Sequence, residues 1–140
     1  MERRLLSPVG IPKPISFYSN GILVGSTLYS AGQAALIDKE EVFGIGNATK
    51  QAVLAFFFLF QILKEGGMSF SNVVRLNVFI RSREDIPALL EVKDEFLKDN
   101  KPSFSVVVVE GVALKDFLFE VEFIAYKEET SQLISGKTTA

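Results

Sequence analysis

The sequence predicts an α+β fold in which two helices cover one face of a mixed β-sheet. Two long segments have the apolar periodicity of helices, and shorter apolar runs around them indicate strands, in the order β-β-(β)-α-β-α-β-β. The 140 residues, of which 48% are hydrophobic and 23% are charged, fit one folded domain. We expect that domain to span residues 1–127 and the polar segment 128–140 to form a flexible tail.

The first third of the chain has the patterns of short strands and turns. Three strands are predicted, at residues 15–19, 22–24 and 27–31. Asn20-Gly21 is a strong turn signal between the first two of them. Residues 34–46 combine a charged run with two glycines, and we expect them to form a surface loop.

Residues 48–65 predict the longest helix. Asn47 or Thr49 can cap its start, and the glycine pair at 66–67 ends it. Three large apolar residues lie on its more polar arc: Leu54, Phe57 and Phe58. Either neighbouring loops cover these side chains or they belong to a subunit interface, and the sequence leaves both explanations open.

The second half of the chain supplies the remaining strands and the second helix. We predict a strand at 72–81, a helix from Ser82 or Asp85 to Asp99, and strands at 103–109 and 117–125. The first of these strands directs four residues to one face: Val74, Leu76, Val78 and Ile80. No third helix remains to cover the other face of the sheet, which is also apolar. This uncovered apolar face predicts an oligomer in which the sheets of different subunits pack against one another.

Composition excludes several kinds of chemistry. The chain contains neither cysteine nor histidine, so it cannot form disulfides, thiolate metal sites, a Ser-His-Asp triad or a histidine–zinc centre. The groups available for catalysis are therefore carboxylates, hydroxyls, lysine, arginine, backbone groups and bound water.

Charge and hydropathy argue against nucleic-acid and membrane partners. Fifteen basic and 17 acidic residues give a net charge of −2, which leaves no basic field for a phosphate backbone. The longest unbroken apolar run, residues 52–60, is about half of what spans a bilayer. Because the first residues also lack a signal-peptide pattern, we expect a cytoplasmic protein.

Two carboxylates on the last predicted strand are the strongest site candidates. Glu120 and Glu122 share one sheet face with apolar residues, where an unpaired carboxylate is costly. For Glu120 we expect an ion pair with Arg75, Arg81 or a neighbouring subunit. For Glu122 we expect a catalytic role, in which it holds a water or exchanges a proton with substrate.

Weaker signals come from other polar and small residues. Tyr18 stands at a predicted strand end, where packing is the ordinary explanation. Gly32, in the SAGQ segment at 30–33, lets a ligand approach backbone amides, although the segment lacks the spacing of a phosphate loop. Arg81 and Arg83 could hold an anionic substrate, but solvated surface charges are the simpler interpretation.

Taken together, six segments resemble the RidA/YjgF family, a group once labelled translation-initiation inhibitors or L-PSP. They are FYS at 17–19, LYSAGQ at 28–33, GGMS at 66–69, NVVRLNVF at 72–79, KPSFS at 101–105 and FEVEFIA at 119–125. The resemblance implies a chorismate-mutase-like fold and a homotrimer packed through its sheets, with small-molecule clefts between adjacent subunits. Well-studied members hydrolyse enamines or imines without a cofactor, releasing a 2-keto acid and ammonia.

The resemblance also implies roles for individual residues. Tyr18 and Gly32 match residues that line the family's cleft, and Glu122 matches a glutamate that helps to position the attacking water. Leu90 lies nearest to a position where the family often has asparagine.

One departure from the family pattern affects the substrate-binding side. Phe104 stands where the family has an arginine that binds the substrate carboxylate, and Val106 replaces a cysteine. Losing a bidentate carboxylate contact in a secluded cleft costs on the order of 2–5 kcal/mol. We therefore expect a less anionic or more aromatic ligand than a free 2-imino acid, unless Arg81 or Arg83 restores carboxylate binding.

Three functional hypotheses follow. The first is a RidA-like trimer that binds a small molecule between subunits and hydrolyses a C=N bond with altered substrate choice. The second is a trimer that kept the fold and binds a ligand or protein without catalysis. The third, a translation inhibitor acting on RNA, follows the old family label and is opposed by the acidic composition.

Overall fold

A six-stranded sheet and two helices make up most of the chain in a computed structural model, which describes residues 2–128. The strands are β1 (Arg3–Leu6), β2 (Gly21–Val24), β3 (Thr27–Ser30), β4 (Leu36–Asp38), β5 (Glu41–Val42), β6 (Val73–Ile80), β7 (Ser103–Val108) and β8 (Phe119–Tyr126). The helices are α1 (Ala48–Glu65) and α2 (Ile86–Leu97). The main sheet has the order β1-β2-β3-β8-β6-β7, and β4 pairs only with β5.

The main sheet is mixed, as predicted. The pairing of β6 with β7 is parallel and every other pairing is antiparallel. Because a parallel pair needs a crossover, α2 connects β6 to β7 and lies against the sheet beside α1. The predicted α+β class, with two helices on one face of a mixed sheet, is therefore confirmed.

The hydrophobic core lies between the two helices and the inner face of the sheet. Alternate residues of β6 and β8 point into it and are fully or almost fully buried: Leu76, Val78, Ile80, Phe119, Val121, Phe123 and Ala125. Phe56 of α1 stacks on Phe96 of α2, with ring centroids 5.6 Å apart. Aromatic contacts of this kind add to the stabilisation from the buried apolar area.

Capping contacts and backbone conformation at nearby residues determine where the helices begin and end. Asn47 caps α1, because its side-chain oxygen accepts a hydrogen bond from the Lys50 amide at 2.9 Å. The predicted bounds of α1 are confirmed. In α2, Pro87 lies in the first turn. This helix ends at Leu97, earlier than predicted, because Lys98 adopts a φ of 55° that a helix cannot continue.

One buried polar residue ties α1 to the chain segment before β8. The Gln51 side chain is fully buried and donates to the Asp116 carbonyl at 3.0 Å. Its oxygen accepts from the Leu118 amide at 3.0 Å, and its nitrogen also reaches the Gly44 carbonyl at 3.3 Å. Since Gln51 satisfies backbone groups in both connections, it fixes how β8 enters the sheet.

The prediction of a strand at residues 15–19 is wrong. Both edges of β2 are occupied, by β1 on one side and β3 on the other, so this segment has no strand to pair with. It follows Pro12 and Pro14, and Phe17 is fully exposed. The strand that the prediction missed is β1, whose arginines face solvent while Leu6 is buried.

Two further segments differ from the prediction in detail. Residues 34–46 contain the β4–β5 hairpin rather than only a loop. The pairing of β6 with β8 shifts between Val73 and Arg75, which turns Val74 outward and buries Val73. Val74 therefore does not share the face of Leu76. The predicted tail 128–140 lies outside the described residues except for Glu128.

The second face of the main sheet carries no helix within residues 2–128. Polar groups there pair across strands: Arg75 donates to the Ser105 hydroxyl at 2.8 Å, and Asn77 donates to Glu122 at 3.2 Å. Val107 on the same face is 48% exposed. Among the same residues, no helix is long and apolar enough to cross a membrane.

Candidate functional site

A cavity of about 460 Å³ lies beside the first half of β8. Six of the residues that line it are Tyr18, Gly32, Gln33, Phe58, Phe117 and Glu120. They come from four parts of the chain: the segment before β2, the connection after β3, α1, and the region where β8 begins. Lys13, Lys39 and Glu40 add charged groups to the wall. The cavity thus combines apolar side chains with two carboxylates, a phenol and ammonium groups.

Gly32 is the point of closest approach to Glu120. A Cβ atom at position 32 would overlap the Glu120 carboxylate and would lie 2.8 Å from its Cγ. Any residue other than glycine would therefore displace this carboxylate from its place beside the chain. Gly32 thus permits a close approach, and the group that approaches is a side chain of the same chain.

Burial makes Glu120 unusual among the carboxylates. Removal from water raises the pKa of the Glu120 carboxyl above its ordinary value of 4.5, and the negative charge of Glu122 raises it further. A carboxyl whose pKa moves toward neutrality exchanges protons more readily at physiological pH. Glu120 therefore has the electrostatic setting of an acid–base group.

No cation of the described chain neutralises Glu120. We expected an ion pair, but Arg75 donates to Ser105 on the open face, and Arg81 donates to the Lys115 carbonyl at 2.6 Å. Within residues 2–128, the single ion pair joins two residues of α2 and leaves Glu120 without a partner. Arg75 and Arg81 as intrachain partners of Glu120 are thus wrong. Arg81 instead supports the segment that forms the Phe117 wall.

The chain segment that carries Gly32 is held by a network of hydrogen bonds. Gln33 exchanges backbone hydrogen bonds with Val121 at 2.7 and 3.0 Å, which extends the β3–β8 contact past the end of β3. The Gln33 side chain is buried and lies 3.4 Å from the oxygen of Asn20. The Asn20 carbonyl accepts from the Ala31 amide at 2.8 Å. Sequence reasoning took Asn20 as a turn residue and missed this support.

Glu122 lies on the open sheet face and does not line the cavity. Its carboxylate accepts a hydrogen bond from Asn77 on the adjacent strand β6, at 3.2 Å. The structure therefore brings Tyr18, Gly32 and Glu120 together and leaves Glu122 two residues away along β8. The alternation of apolar and acidic residues along β8 could not distinguish Glu120 from Glu122, because both side chains point to the same face of the sheet.

The other predicted binding residues form a separate group between α2 and β7. Phe104 and Val106 pair with Leu76 and Val78, so they face the helices rather than the open face. Phe104, Val106 and Leu90 pack at the margin of the core. None of these three lines the cavity at Glu120. The predicted site residues thus occupy two places in one chain, and the order of the sheet puts β6 between them.

Comparison with known proteins identifies relatives of the whole domain. The family model described as Endoribonuclease L-PSP matches residues 10–127. A RutC family protein of Pyrococcus abyssi is 32% identical over 128 residues, which cover 91% of this chain and 100% of that protein. The 2-iminobutanoate/2-iminopropanoate deaminase of Dermatophagoides farinae is 32% identical over 126 residues, covering 90% of this chain and 98% of that enzyme.

The fold is also similar to solved structures. The crystal structure of a candidate endoribonuclease from Thermotoga maritima superposes with a TM-score of 0.84 at 28% identity, covering 92% of this chain and 100% of that one. Together with the match over residues 10–127, this similarity shows that the chain is a member of the RidA/YjgF family, also described as Endoribonuclease L-PSP.

Proposed function

We propose that this protein is a RidA-like enzyme that hydrolyses a small enamine or imine without a cofactor, with Glu120 as its acid–base group. The observation that carries the proposal is the partly buried Glu120 carboxylate, which lies against Gly32 in a cavity that Tyr18 also lines. A family relative named as an imine deaminase supports the reaction class. The sequence assigned a catalytic role to Glu122, which is untested; we propose Glu120 in its place because Glu122 does not line the cavity.

The chemistry needs one water and one group that both takes and gives a proton. Glu120, as a carboxylate, accepts a proton from the water whose oxygen attacks the imine carbon, and the C=N bond becomes a C–N single bond. Glu120 returns that proton to the nitrogen, which gives the neutral carbinolamine and regenerates the carboxylate. The carboxylate then takes the hydroxyl proton as the C=O bond forms and passes it to the departing nitrogen as the C–N bond breaks, so that ammonia leaves and the carboxylate is again free. The raised pKa of Glu120 suits both steps, because a carboxyl with a raised pKa holds a proton more readily than an ordinary glutamate does.

The second part of the proposal is that the site is completed in a homotrimer. Two groups of candidate residues lie apart in one chain, one at the Glu120 cavity and one at Leu90 and Phe104 between α2 and β7. A neighbouring subunit can bring the second group of one chain to the first group of another. The sheet face without a helix, where Val107 is 48% exposed, supplies a surface for that contact.

The test is the rate of imine hydrolysis with a 2-imino acid generated in place by an amino-acid oxidase and trapped competitively. Wild type, Glu120→Gln and Phe104→Arg are compared at equal concentration, with oligomeric state checked for each. We expect the wild type to exceed the uncatalysed rate and Glu120→Gln to lose about 100-fold or more of that excess. Wild-type protein that never exceeds the background rate with 2-imino acids, neutral imines or aromatic imines would refute the proposal.

The main alternative is a trimer that binds a ligand without catalysis. One observation favours this alternative. Phe104 puts an apolar ring at the position where, by the resemblance, active family members have an arginine. Under this alternative, small carboxylates or aromatic acids bind but no imine is hydrolysed. An activity that appears only in Phe104→Arg would support it, because the rest of the site would then be intact.

A further inference from the structure

An aromatic groove of about 600 Å³ lies between the second half of α1, the end of α2 and residues 69–71. Its four aromatic side chains are Phe57, Phe60, Phe70 and Phe96, and it shares no residue with the Glu120 cavity. Phe57 and Phe60 are each 39% exposed, although phenylalanine is usually buried. Grouped apolar side chains on a surface mark a contact with another segment or another molecule.

The described part of the chain ends close to this aromatic groove. Strand β8 runs antiparallel to β6, with Ala125 opposite Val73, so the chain after β8 continues alongside the chain before β6. The Lys127 ammonium donates to the Gly67 carbonyl at 3.0 Å. The groove begins two residues further along, at Ser69. The next segment of the chain therefore starts beside one end of the groove.

Residues 129–140 have the length and the side chains to fill the groove. Their sequence is ETSQLISGKTTA, in which Leu133 and Ile134 are the only large apolar residues. Leu133 is five residues beyond the last described residue, a span of up to about 18 Å in an extended chain. Phe60 lies five residues before the end of α1, which is about 8 Å along the helix axis. Both apolar side chains can therefore reach the exposed phenylalanines.

The charges around the groove are complementary to those of this segment. Glu95 and Asp99 place two carboxylates on the groove, and Lys98 places one ammonium there. The segment has Glu129 before its apolar pair and Lys137 after it. Each of these two charges thus has an opposite charge on the groove. Because exposed ion pairs contribute little to affinity, burial of the apolar pair supplies most of the attraction and the charges add selectivity.

We propose that residues 129–140 fold back onto their own chain and pack Leu133 and Ile134 into the aromatic groove. This contact replaces the flexible tail that the sequence predicts. The match to the family model ends at residue 127, so the contact is additional to the shared domain. By covering the groove, the segment keeps this surface of the helices from associating with other copies. The inference does not depend on imine hydrolysis.

The fluorescence of anilinonaphthalene sulfonate, a dye that binds exposed apolar surface, tests whether the segment covers the groove. The double variant Leu133→Asp/Ile134→Asp should uncover it and raise the dye fluorescence at least about threefold. The control Thr138→Asp/Thr139→Asp adds the same charge to the same segment and should match the wild type. Because the dye is an anion, added carboxylates alone would weaken its binding, so an increase must come from uncovered apolar surface.

A third substitution tests where the additional dye binds. In the Leu133→Asp/Ile134→Asp protein, Phe60→Ser removes part of the groove and should take away at least about half of the increase. Val53→Ser changes an exposed residue of α1 that does not line the groove, and it should leave the increase unchanged. No increase in the double variant, or an increase that Phe60→Ser does not reduce, would overturn the inference.

Disulfide formation shows which chain supplies the segment. Since the protein has no cysteine, Ile134→Cys combined with Phe60→Cys creates one defined pair. We expect oxidation to join this pair within one chain at least about tenfold faster than Ile134→Cys with Lys64→Cys, an exposed position of α1 outside the groove. Equal rates would mean that the segment is not packed in the groove, and a bridge between two chains would assign the groove to a neighbouring copy. Either result would overturn the inference.

Discussion

The absence of a side chain at Gly32 allows the Glu120 carboxylate to reach the wall of the cavity. The overlap that a Cβ at position 32 would create involves the end of a flexible side chain, not the backbone. Glu120 can move aside without disturbing the sheet, so the cost of a substitution at Gly32 falls on the site and not on the fold. This separates position 32 from glycines that are required for packing.

Gly32→Ala should therefore fold normally and lose function. We expect a melting temperature within a few degrees of the wild type and at least about a tenfold loss of imine hydrolysis, because the carboxylate is displaced. The matched change Gly21→Ala places a Cβ 2.7 Å from the buried Ile62 side chain and should lower the free energy of unfolding by about 1–3 kcal/mol. Thermal denaturation and activity assays distinguish the two; full activity of Gly32→Ala would contradict the assignment.

The raised pKa of Glu120 gives a pH dependence of stability with a definite sign. Ionising this carboxyl costs more in the folded chain than in the unfolded chain. That cost is absent below the ordinary pKa of 4.5 and is fully present above the raised pKa of the folded state. Glu120→Gln removes it, so the variant should be more stable than wild type near pH 7 and lose this advantage toward pH 4.

Thermal unfolding at several pH values checks this prediction, with exposed Glu91→Gln as the control for a lost charge. A difference between wild type and Glu120→Gln that does not change between pH 4 and pH 7 would mean that the carboxyl is not desolvated as described.

Sequence reasoning identified Tyr18 and Gly32 as candidates but placed the catalytic role on Glu122. Both glutamates leave the same face of β8, so their alternation with apolar residues could not rank them. What distinguishes Glu120 is the connection after β3, where Gln33 pairs with Val121 and brings Gly32 against it. That contact joins segments almost 90 residues apart, and no local pattern encodes it.

At the scale of elements, Gln51 is the polar contact on which the position of β8 depends. Gln51→Leu would leave the Leu118 amide and the Asp116 carbonyl buried without their partner. We expect the free energy of unfolding to fall by about 2–4 kcal/mol. Chemical denaturation measures this, with Gln61→Leu on the same helix expected to change stability by less than about 0.5 kcal/mol. Equal effects of the two changes would contradict the role given to Gln51.

Helix α1 was predictable from sequence because all its signals are local: apolar periodicity, an asparagine cap and a glycine end. The strand predicted at residues 15–19 was wrong for a nonlocal reason, since both edges of β2 are already paired. The edge strand β1 was not predicted, because Leu6 is its single buried residue and the exposed arginines before it give no alternating apolar pattern. Whether a segment forms a strand depends on whether another strand has an unpaired edge, whereas a helix forms its hydrogen bonds within one segment.

At the scale of the whole molecule, the proposed trimer depends on which exposed apolar surface forms the contact. The sequence offered the sheet face and the helix residues Leu54, Phe57 and Phe58. Phe58 is buried and lines the cavity, and Leu54 packs on the core, so the chain itself accounts for these two. Phe57 remains 39% exposed on α1. We propose the sheet face as the contact surface, and Val53, Phe57 and Phe60 leave the apolar surface of α1 as the alternative.

A pair of matched substitutions tests this choice. Val107 on the open sheet face and Val53 on α1 are each 48% exposed, so glutamate fits at either position in an isolated chain. We expect Val107→Glu to dissociate the trimer, because association would bury its charge, and Val53→Glu to leave it intact. Light scattering measures the mass of each variant and of the wild type. A monomeric wild type would contradict the trimer, and dissociation by Val53→Glu alone would place the interface on the helices.

The proposed proton transfers require the Glu120 carboxylate and not that of Glu122. The decisive measurement is the hydrolysis rate of Glu120→Gln beside that of Glu122→Gln, in preparations of equal oligomeric state. Both variants remove one carboxylate from the same strand, but Glu120 lines the cavity, whereas Glu122 lies outside it and accepts a hydrogen bond from Asn77. We expect Glu120→Gln to lose about 100-fold or more of the rate and Glu122→Gln to keep most of it. Full activity in Glu120→Gln, with loss in Glu122→Gln, would contradict the role proposed for Glu120 and return the catalytic role to Glu122.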